Sequence, residues 1–235
     1  MLFTAADFNA DRQLEVRDRR LQHLLKVHRA QAGDEVRVGE IDGQMGSARI
    51  EFIDENRAIL NVTLSEPPFP KLPLTLIVAL PRPKMLRRIL RTVAECGVAE
   101  LHLINSYRVE KSYWQTPVLQ EQTTKDYFLQ GLEQSRDTVL PRLELHHRFK
   151  PFVEDQLTGL IAGKRALLAH PGDYLPCPAG CTEATAVVIG PEGGFIPYEA
   201  EKLIATGCLP VSMGPRILRV ETAVSALLGR MLLTH

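Results

Sequence analysis

Four prolines within residues 67–73 divide this 235-residue chain into two parts with different sequence patterns. Proline lacks a backbone N–H and clashes with the preceding helical turn, so such a cluster is not expected inside a helix or a central strand. Before the cluster, single apolar residues alternate with polar ones. Beyond it, whole apolar runs alternate with helical patterns. We therefore expect two domains, residues 1–70 and residues 71–235.

The first part has the pattern of short strands joined by tight turns. Asp42-Gly43 is a strong turn signal between two alternating segments. The predicted strands are residues 35–41, 48–52 and 59–64, which together indicate a small β-barrel or β-meander. A short helix is expected at residues 21–29. Its inward-facing residues are predicted to be Leu21, Leu24, Leu25 and Val27.

The second part has the pattern of an α/β fold. Residues 74–80 form an almost unbroken apolar run, which is typical of a strand covered on both faces. An amphipathic helix is predicted at residues 83–96, and strand–helix alternation continues to the end. This order favours a mainly parallel sheet with helices on both sides. The remaining predicted strands are 101–104, 143–147, 165–169, 185–189 and 209–213, and the remaining predicted helices are 116–136, 151–162, 197–205 and 221–233.

Composition and charge narrow the class of protein. Lys plus Arg and Asp plus Glu both total 28, so the net charge indicates no particular partner. No apolar stretch reaches the roughly 18 residues that a membrane helix requires. Residues 1–10 lack the basic-then-apolar order of a signal peptide. We expect a cytoplasmic protein with no membrane partner.

The four cysteines do not form a recognisable metal motif. Cys177 and Cys181 could supply half of a zinc site, with His146 and His147 as the other half. Zinc motifs usually show tighter paired spacing, however. We expect free thiols in a reducing compartment and no bound metal.

Two glycine-rich turns near the C-terminus carry the strongest functional signal. The first is Gly190-Pro191-Glu192-Gly193-Gly194, and the second begins at Met213-Gly214. Each follows an apolar run and leads into a helical pattern. Glycine permits positive φ and lets the backbone approach a ligand closely. The two turns therefore predict one small-molecule site lined mostly by backbone, although the first could also be a plain tight turn.

The ligand of these turns is not expected to be a polyphosphate. The first turn lacks the Gly-Lys-Ser/Thr ending of a phosphate loop and the spacing of the dinucleotide fingerprint. Acidic residues at 199 and 201 follow Pro197 at a predicted helix start and would repel a phosphate. A cationic or neutral ligand is favoured, and the sulfonium of S-adenosylmethionine fits that sign.

Two basic clusters indicate contact with nucleic acid. One helix face carries Lys84, Arg87, Arg88 and Arg91. The opposite, apolar face consists of Leu86, Ile89, Leu90 and Val93. A second cluster in the N-terminal part contains Arg12, Arg17, Arg19, Arg20, Lys26 and Arg29. A small β-domain with a basic helix is a common RNA-binding arrangement, and the alternative is a solvated helix face.

The glycine turns closely resemble motifs of the 16S ribosomal RNA uracil-N3 methyltransferase family of the SPOUT superfamily. The motif Gly214-Pro215-Arg216-Ile217-Leu218-Arg219 is followed by Glu221-Thr222-Ala223 in the family's manner. Residues 24–34 resemble the family's PUA-like barrel. The segments 95–98 and 133–141 resemble its two central motifs.

The resemblance implies an α/β SPOUT methyltransferase domain with a deep C-terminal trefoil knot, preceded by a PUA-like β-barrel RNA-binding domain. It also implies a homodimer that binds S-adenosylmethionine in the knot and methylates N3 of a specific uridine in 16S rRNA of the small ribosomal subunit. The cofactor-binding residues implied are Leu168, Ala169, His170, Ile189, Gly190, Pro191, Glu192, Gly193, Gly194, Met213, Gly214, Ile217 and Leu218.

On the target side of the site, the resemblance points to Arg216, Arg219 and Glu221. The N3 of uracil is a poor nucleophile until it loses its proton. Glu221 is therefore a candidate base or orienting group, and Arg219 or Arg216 a candidate cation for the charge that develops. The expected RNA contacts are Arg12, Arg20, Lys26, Arg29, Lys84, Arg87, Arg88, Arg91 and Arg136.

The chain departs from the family's usual pattern at Thr92, Cys96 and Val220, where lysine, leucine and threonine are usual. Two other functions therefore stay open. One is a SPOUT methyltransferase with a different RNA target. The other is a non-catalytic RNA-binding factor in ribosome assembly, although such a factor has no need of intact glycine turns.

Overall fold

The computed structural model describes residues 1–180 and 182–232, which form two compact units. The first unit combines Met1–Phe69 with Leu132–Leu140, and the second combines Pro70–Gly131 with the chain from Pro141 onward. Thr138 ties the late segment to the first unit. Its side chain donates to the carbonyl of Gly43 at 2.6 Å, and its carbonyl accepts from the N–H of Asp42 at 2.9 Å. The first unit is thus discontinuous in sequence.

The first unit is built on a five-stranded sheet. Its strands are β1 (Leu2–Phe3), β2 (Leu14–Val16), β3 (Glu35–Glu40), β4 (Met45–Ile53) and β5 (Ala58–Glu66). Their order across the sheet is β1-β3-β4-β5-β2, with β1 parallel to β3 and the other pairs antiparallel. The three predicted strands are present. The two short strands β1 and β2 were not predicted.

The predicted N-terminal helix is present in two parts, α1 (Arg19–His23) and a π-helical turn over Leu24–His28. Leu21 and Leu24 are buried in the core of the sheet, as expected. Val27 is 65% exposed, so its predicted inward orientation is wrong. The wider i→i+5 turns of a π-helix change the angular spacing of side chains, and the pattern of period 3.6 does not apply there.

The second unit is built on a six-stranded parallel sheet. Its strands are β6 (Leu72–Ala79), β7 (Val98–Ile104), β8 (Arg142–His146), β9 (Arg165–Ala169), β10 (Thr185–Ile189) and β11 (Leu209–Val211). Their order is β11-β9-β10-β6-β7-β8. Every neighbouring pair is parallel. This sheet confirms the predicted α/β class.

Strand β6 corrects one expectation about the proline cluster. Pro73 lies inside β6, a central strand, although we predicted that the cluster would be excluded from such a strand. The pairing of β6 with β7 is irregular between Leu72 and Thr75. The irregular ladder accommodates a residue that has no N–H to donate.

The helices beyond β6 follow the predicted order, most of them with shifted ends. They are α2 (Pro83–Glu95), α3 (Glu121–Ser135), α4 (Phe149–Pro151), α5 (Thr158–Ile161), α6 (Pro197–Ala205) and α7 (Val220–Leu232), with a π-helical segment Phe152–Leu157 between α4 and α5. Helix α3 begins later than predicted because a 3₁₀ turn over Pro117–Leu119 precedes it. The predicted end of α7 at Leu233 lies outside the described residues. Among the described helices, none combines the length and apolarity needed to cross a membrane.

Candidate functional site

A cleft of about 270 Å³ lies at the carboxyl ends of three neighbouring strands of the second unit. Residues from the loops after β9, β10 and β11 form it, together with the first turn of α7. Parallel strands bring their carboxyl ends to one edge of the sheet, which is the usual ligand position in such folds. The lining residues are Ala169, His170, Pro171, Gly172, Ile189, Gly190, Pro191, Glu192, Gly194, Ser212, Met213, Gly214, Pro215, Arg216, Ile217, Leu218, Val220 and Ala223.

Glycine is required at two positions of this lining. Gly194 has φ of 71° and Gly214 has φ of 101°, in the left-handed region that other residues rarely adopt. A Cβ added at either position would meet no atom within 4 Å. Backbone conformation, not lack of space within the protein, therefore accounts for glycine at both positions. The open space beside each leaves backbone accessible to a ligand.

The first glycine turn is held by hydrogen bonds on both sides. Within the turn, the N–H of Gly194 donates to the carbonyl of Pro191 at 2.7 Å. The Glu192 carboxylate accepts from the N–H of Arg82 at 3.1 Å, and the Arg108 guanidinium donates to the carbonyl of Gly193. The loops after β6 and β7 thus support the turn that lines the cleft.

The charges in the cleft are compatible with a neutral or cationic ligand. Burial lowers the pKa of His170, so its imidazole is neutral near pH 7. Glu192 contributes a carboxylate, and exposed Arg216 contributes the lining's one guanidinium. Glu199 does not face the cleft as the repulsion argument assumed. Its carboxylate is buried and bonded to the loop after β7.

The structure brings together most of the residues predicted to bind the cofactor. All thirteen except Leu168 and Gly193 line the cleft. Leu168 is fully buried within β9, and Gly193 directs its carbonyl to Arg108. Sequence reasoning missed six lining residues: Pro171, Gly172, Ser212, Pro215, Val220 and Ala223. Val220 and Ala223 lie three apart on the apolar face of α7, a spacing that could have revealed them.

The three predicted target-side residues do not lie in one place. Arg216 lines the cleft. Glu221 instead lines a separate groove between α2 and α7, together with Arg88, Arg91 and Thr92. The first turn of α7 therefore presents Val220 to the cleft and Glu221 to the groove. Arg219 is exposed and lines neither.

The basic face of α2 is present as predicted. Leu86, Ile89, Leu90 and Val93 are buried, so Lys84, Arg87 and Arg88 are directed to solvent. Within the described chain these three cations form no ion pair. Arg91 is partly buried, because it donates to Gln130 at 3.2 Å and lies 5.5 Å from the centroid of the Tyr127 ring.

The N-terminal basic cluster is less available than the sequence indicated. Arg20 is only 12% exposed in its side chain and pairs with Asp7 at 2.5 Å and Asp18 at 2.9 Å. Arg17 and Arg19 also form ion pairs. Exposed residues of the cluster that have no ion pair among the described residues are Arg12, Lys26 and Arg29. Arg136, which follows α3, is exposed as well.

The described residues contain no group of three or more His, Cys, Asp or Glu side chains arranged to hold a metal. Cys96, Cys177 and Cys208 are free. Cys181, the other half of the considered zinc pair, lies outside the described residues.

Comparisons with known proteins agree with this architecture. The family model of an RNA methyltransferase domain matches residues 67–232, and that of an RNA methyltransferase PUA domain matches residues 16–63. The chain is 30% identical to ribosomal RNA small subunit methyltransferase E of Treponema pallidum, over 91% of this chain and 82% of that protein. It is 31% identical to the Synechocystis protein of the same name, over 89% of this chain and 69% of that protein.

Two solved structures share the fold. One is ribosomal RNA small subunit methyltransferase E of Neisseria gonorrhoeae bound to S-adenosyl methionine, with a TM-score of 0.75 and 19% identity, covering 97% of this chain and 94% of that one. The other is a probable rRNA methyltransferase of Porphyromonas gingivalis, with a TM-score of 0.74 and 23% identity, covering 97% and 95%. The fold thus agrees with the sequence relatives, and the chain belongs to the ribosomal RNA small subunit methyltransferase E family.

Proposed function

We propose that this protein transfers a methyl group from S-adenosylmethionine to N3 of a uridine in 16S rRNA of the small ribosomal subunit. The observation that carries the proposal is the glycine-lined cleft at the carboxyl ends of β9, β10 and β11, in a chain that belongs to this family. The relatives' names supply the ribosomal RNA and the small subunit. The solved structure from Neisseria gonorrhoeae contains the cofactor.

The lining of the cleft fits S-adenosylmethionine. Gly194 and Gly214 leave backbone open to the ligand, and Ile217, Leu218 and Val220 offer apolar contacts. Neutral His170 and the Glu192 carboxylate suit a ligand with a sulfonium charge. When bound there, the cofactor would supply an electrophilic methyl group.

The remaining chemistry falls to side chains that activate and hold uracil. The imide N3 must lose its proton, and the resulting negative charge must be stabilised. We assign the cation to Arg216, which lines the cleft, or to Arg219 on the same loop. We assign Glu221 as base or orienting group, because it directly follows the cleft residue Val220 in the first turn of α7.

The RNA-binding role is divided between the two domains that we propose, a PUA-like domain over residues 1–70 and a SPOUT methyltransferase domain over residues 71–235. In the first, Arg12, Lys26 and Arg29 are free to meet phosphates, whereas Arg20 stabilises the fold through Asp7 and Asp18. In the second, the available cations are Lys84, Arg87 and Arg88, with Arg91 beside them. Such contacts provide affinity and orientation without reading sequence.

The proposal includes a C-terminal trefoil knot, a homodimer and a place of action in the cytoplasm. Hydrogen bonds between distant segments support the knot. The N–H of Cys177 donates to the carbonyl of Ser212 at 2.9 Å, and that of Gly180 donates to the carbonyl of Arg230 at 2.9 Å. The loop after β9 is thus hydrogen-bonded to the segment that precedes the last helix and to the last helix itself. Analytical ultracentrifugation would test the dimer.

The decisive experiment offers the purified protein and labelled S-adenosylmethionine to small subunits from a strain that lacks the gene. Mass spectrometry of the nucleosides should detect 3-methyluridine in 16S rRNA. A different methylated nucleoside or another RNA would contradict the proposed target. Absence of cofactor binding by calorimetry would contradict the proposed cofactor.

A further inference from the structure

The loop after β7 contacts the glycine turn of the cleft but contains none of the predicted cofactor-binding, target-side or RNA-contact residues. In this loop, the guanidinium of Arg108 donates to the carbonyl of Gly193, which lies between the lining residues Glu192 and Gly194. A Cβ added at Gly193 would lie 2.8 Å from Cδ of Arg108. The loop is therefore packed directly against the turn at the edge of the cleft.

Buried Glu199 fixes the conformation of this loop. Its Oε1 accepts from the N–H of Tyr107 at 2.7 Å, and its Oε2 accepts from the hydroxyl of Ser106 at 3.1 Å. The same Oε2 accepts from the N–H of Ile196 at 3.2 Å, at the start of α6. One carboxylate, only 3% exposed, thus joins the loop after β7 to the segment that follows the glycine turn.

The anchored loop presents an aromatic ring to solvent. Tyr107 is 79% exposed, although its neighbours Ser106 and Val109 are buried. The backbone of Tyr107 is already held by hydrogen bonds, so less conformational entropy is lost when its exposed ring contacts a partner. Among the described residues, the ring takes part in no aromatic or cation–π pair.

Two arginines of these loops are available to an anionic partner. Arg108 follows Tyr107 directly, and exposed Arg82 lies on the neighbouring loop with its N–H bonded to Glu192. Neither guanidinium forms an ion pair within the part of the chain that the structure describes. An exposed aromatic ring followed directly by an arginine is a combination that binds single-stranded RNA, through base stacking and phosphate contact.

We propose that Tyr107 and Arg108 form an RNA-contact surface at the edge of the cleft, on which a base near the target uridine stacks, with Glu199 as the positioning residue. The inference rests on the proposed function, because it takes the nucleotide that enters the cleft to be part of an RNA strand. It assigns to this loop a specific role in holding the strand beside the cleft.

The test measures RNA binding separately from methyl transfer. Full-length wild type, Tyr107→Ala, Tyr107→Phe and Arg108→Ala are titrated into a fluorescein-labelled, uridine-containing single-stranded RNA of twelve nucleotides, in the presence of S-adenosylhomocysteine. Fluorescence anisotropy gives the Kd for RNA, and calorimetry gives the Kd for the cofactor. Leu209→Ala removes another exposed apolar side chain, at the start of β11, and serves as the matched control.

Tyr107→Ala should raise the RNA Kd about tenfold, equivalent to about 1.4 kcal/mol and within the range for one stacked base. The RNA Kd of Tyr107→Phe should stay within about twofold of wild type, because the ring remains. That of Leu209→Ala should do so because the whole RNA-contact surface remains. Arg108→Ala should raise the RNA Kd and lessen its salt dependence. The cofactor Kd should not change in the Tyr107 variants.

An unchanged RNA Kd for Tyr107→Ala would overturn the inference. So would an altered sedimentation coefficient with unaltered RNA binding, since the loop would then contact protein. Loss of RNA affinity in Tyr107→Phe as well as in Tyr107→Ala would exclude stacking of the ring as the cause. Failure of wild type to methylate small subunits would count against the proposed function, and the anisotropy series would still decide the role of the loop.

Discussion

Replacing Glu199 by Gln tests whether one buried carboxylate stabilises the loops at the edge of the cleft. The carboxylate accepts three hydrogen bonds, from Tyr107, Ser106 and Ile196, and two of these donors are backbone N–H groups. Gln has the same volume, but one of its two terminal atoms donates instead of accepting. At least one backbone N–H then faces a donor, whichever way the amide is oriented.

The expected cost follows from that count. A buried donor without a partner costs roughly 1–3 kcal/mol. The hydroxyl of Ser106 can rotate and accept from the new amide, so we count only one lost backbone bond. The variant should therefore be about 2 kcal/mol less stable, which corresponds to roughly 4–8 °C in Tm for a chain of this size.

Urea unfolding followed by tryptophan fluorescence is the appropriate assay. Trp114 is the single tryptophan of the chain, and its indole N–H donates to Asn105 at 3.0 Å, next to the anchored loop. The signal therefore reports on the second unit, which matters because two compact units need not unfold together. Ser106→Ala is the control, and it should cost about 1 kcal/mol, the value of one neutral hydrogen bond.

A double-mutant cycle between the two positions separates their interaction from independent effects. Coupling of about 0.5 kcal/mol or more is expected, since the side chains touch. If Glu199→Gln were as stable as wild type within about 0.5 kcal/mol, a typical value for neutral surface changes, the anchoring argument would be refuted.

Three other predictions concern packing, conformation and pH. Gly131→Ala would place a Cβ 2.5 Å from the carbonyl of Arg91, so we expect a loss of about 1–3 kcal/mol in urea unfolding. Gly194→Ala meets no atom but strains a residue with φ of 71°, so it should cost about 1–2 kcal/mol and weaken cofactor binding by calorimetry. Burial and then His146 lower the pKa of His102 to about 4. The unfolded chain, whose histidine pKa is near 6.5, binds this proton first, so stability should fall as pH drops from about 6.5 to about 4. His102→Gln should reduce that dependence, and an unchanged profile would exclude His102 as its source.

Much of the α/β unit could be predicted because its elements are long or strongly patterned. Strands β9 and β10 and helix α6 have the predicted ends, since uninterrupted apolar runs and a first-turn proline mark them. The strands β1 and β2 have only two and three residues, too few to show a period. The inclusion of Pro73 in β6 depends on an irregularity in pairing that no local pattern reveals.

The parts of the site that contain glycine turns could be predicted from the sequence. The parts formed by residues distant in sequence could not. The cleft contains both glycine turns, as expected, whereas Pro171 and Gly172 form a Pro-Gly turn signal whose position beside the cleft is not visible in the local sequence. Glu221 lies in a different groove because of the way α7 is oriented about its own axis. Residue spacing within α7 does not show which of its faces is directed to β9 and β10. Arg20 became a structural residue because the fold brings Asp7 to it across thirteen positions of sequence.

The discontinuity of the first unit has a consequence for how the chain is made. The ribosome synthesises the strands of the five-stranded sheet first. The segment Leu132–Leu140, which completes their unit, is synthesised only after residues 70–131. Until then, the turn at Asp42-Gly43 lacks the two hydrogen bonds of Thr138. A nascent or excised fragment that ends near residue 70 therefore contains all five strands but lacks the segment that completes the unit. Residues 70–131 of the second unit must therefore be synthesised before the first unit can close.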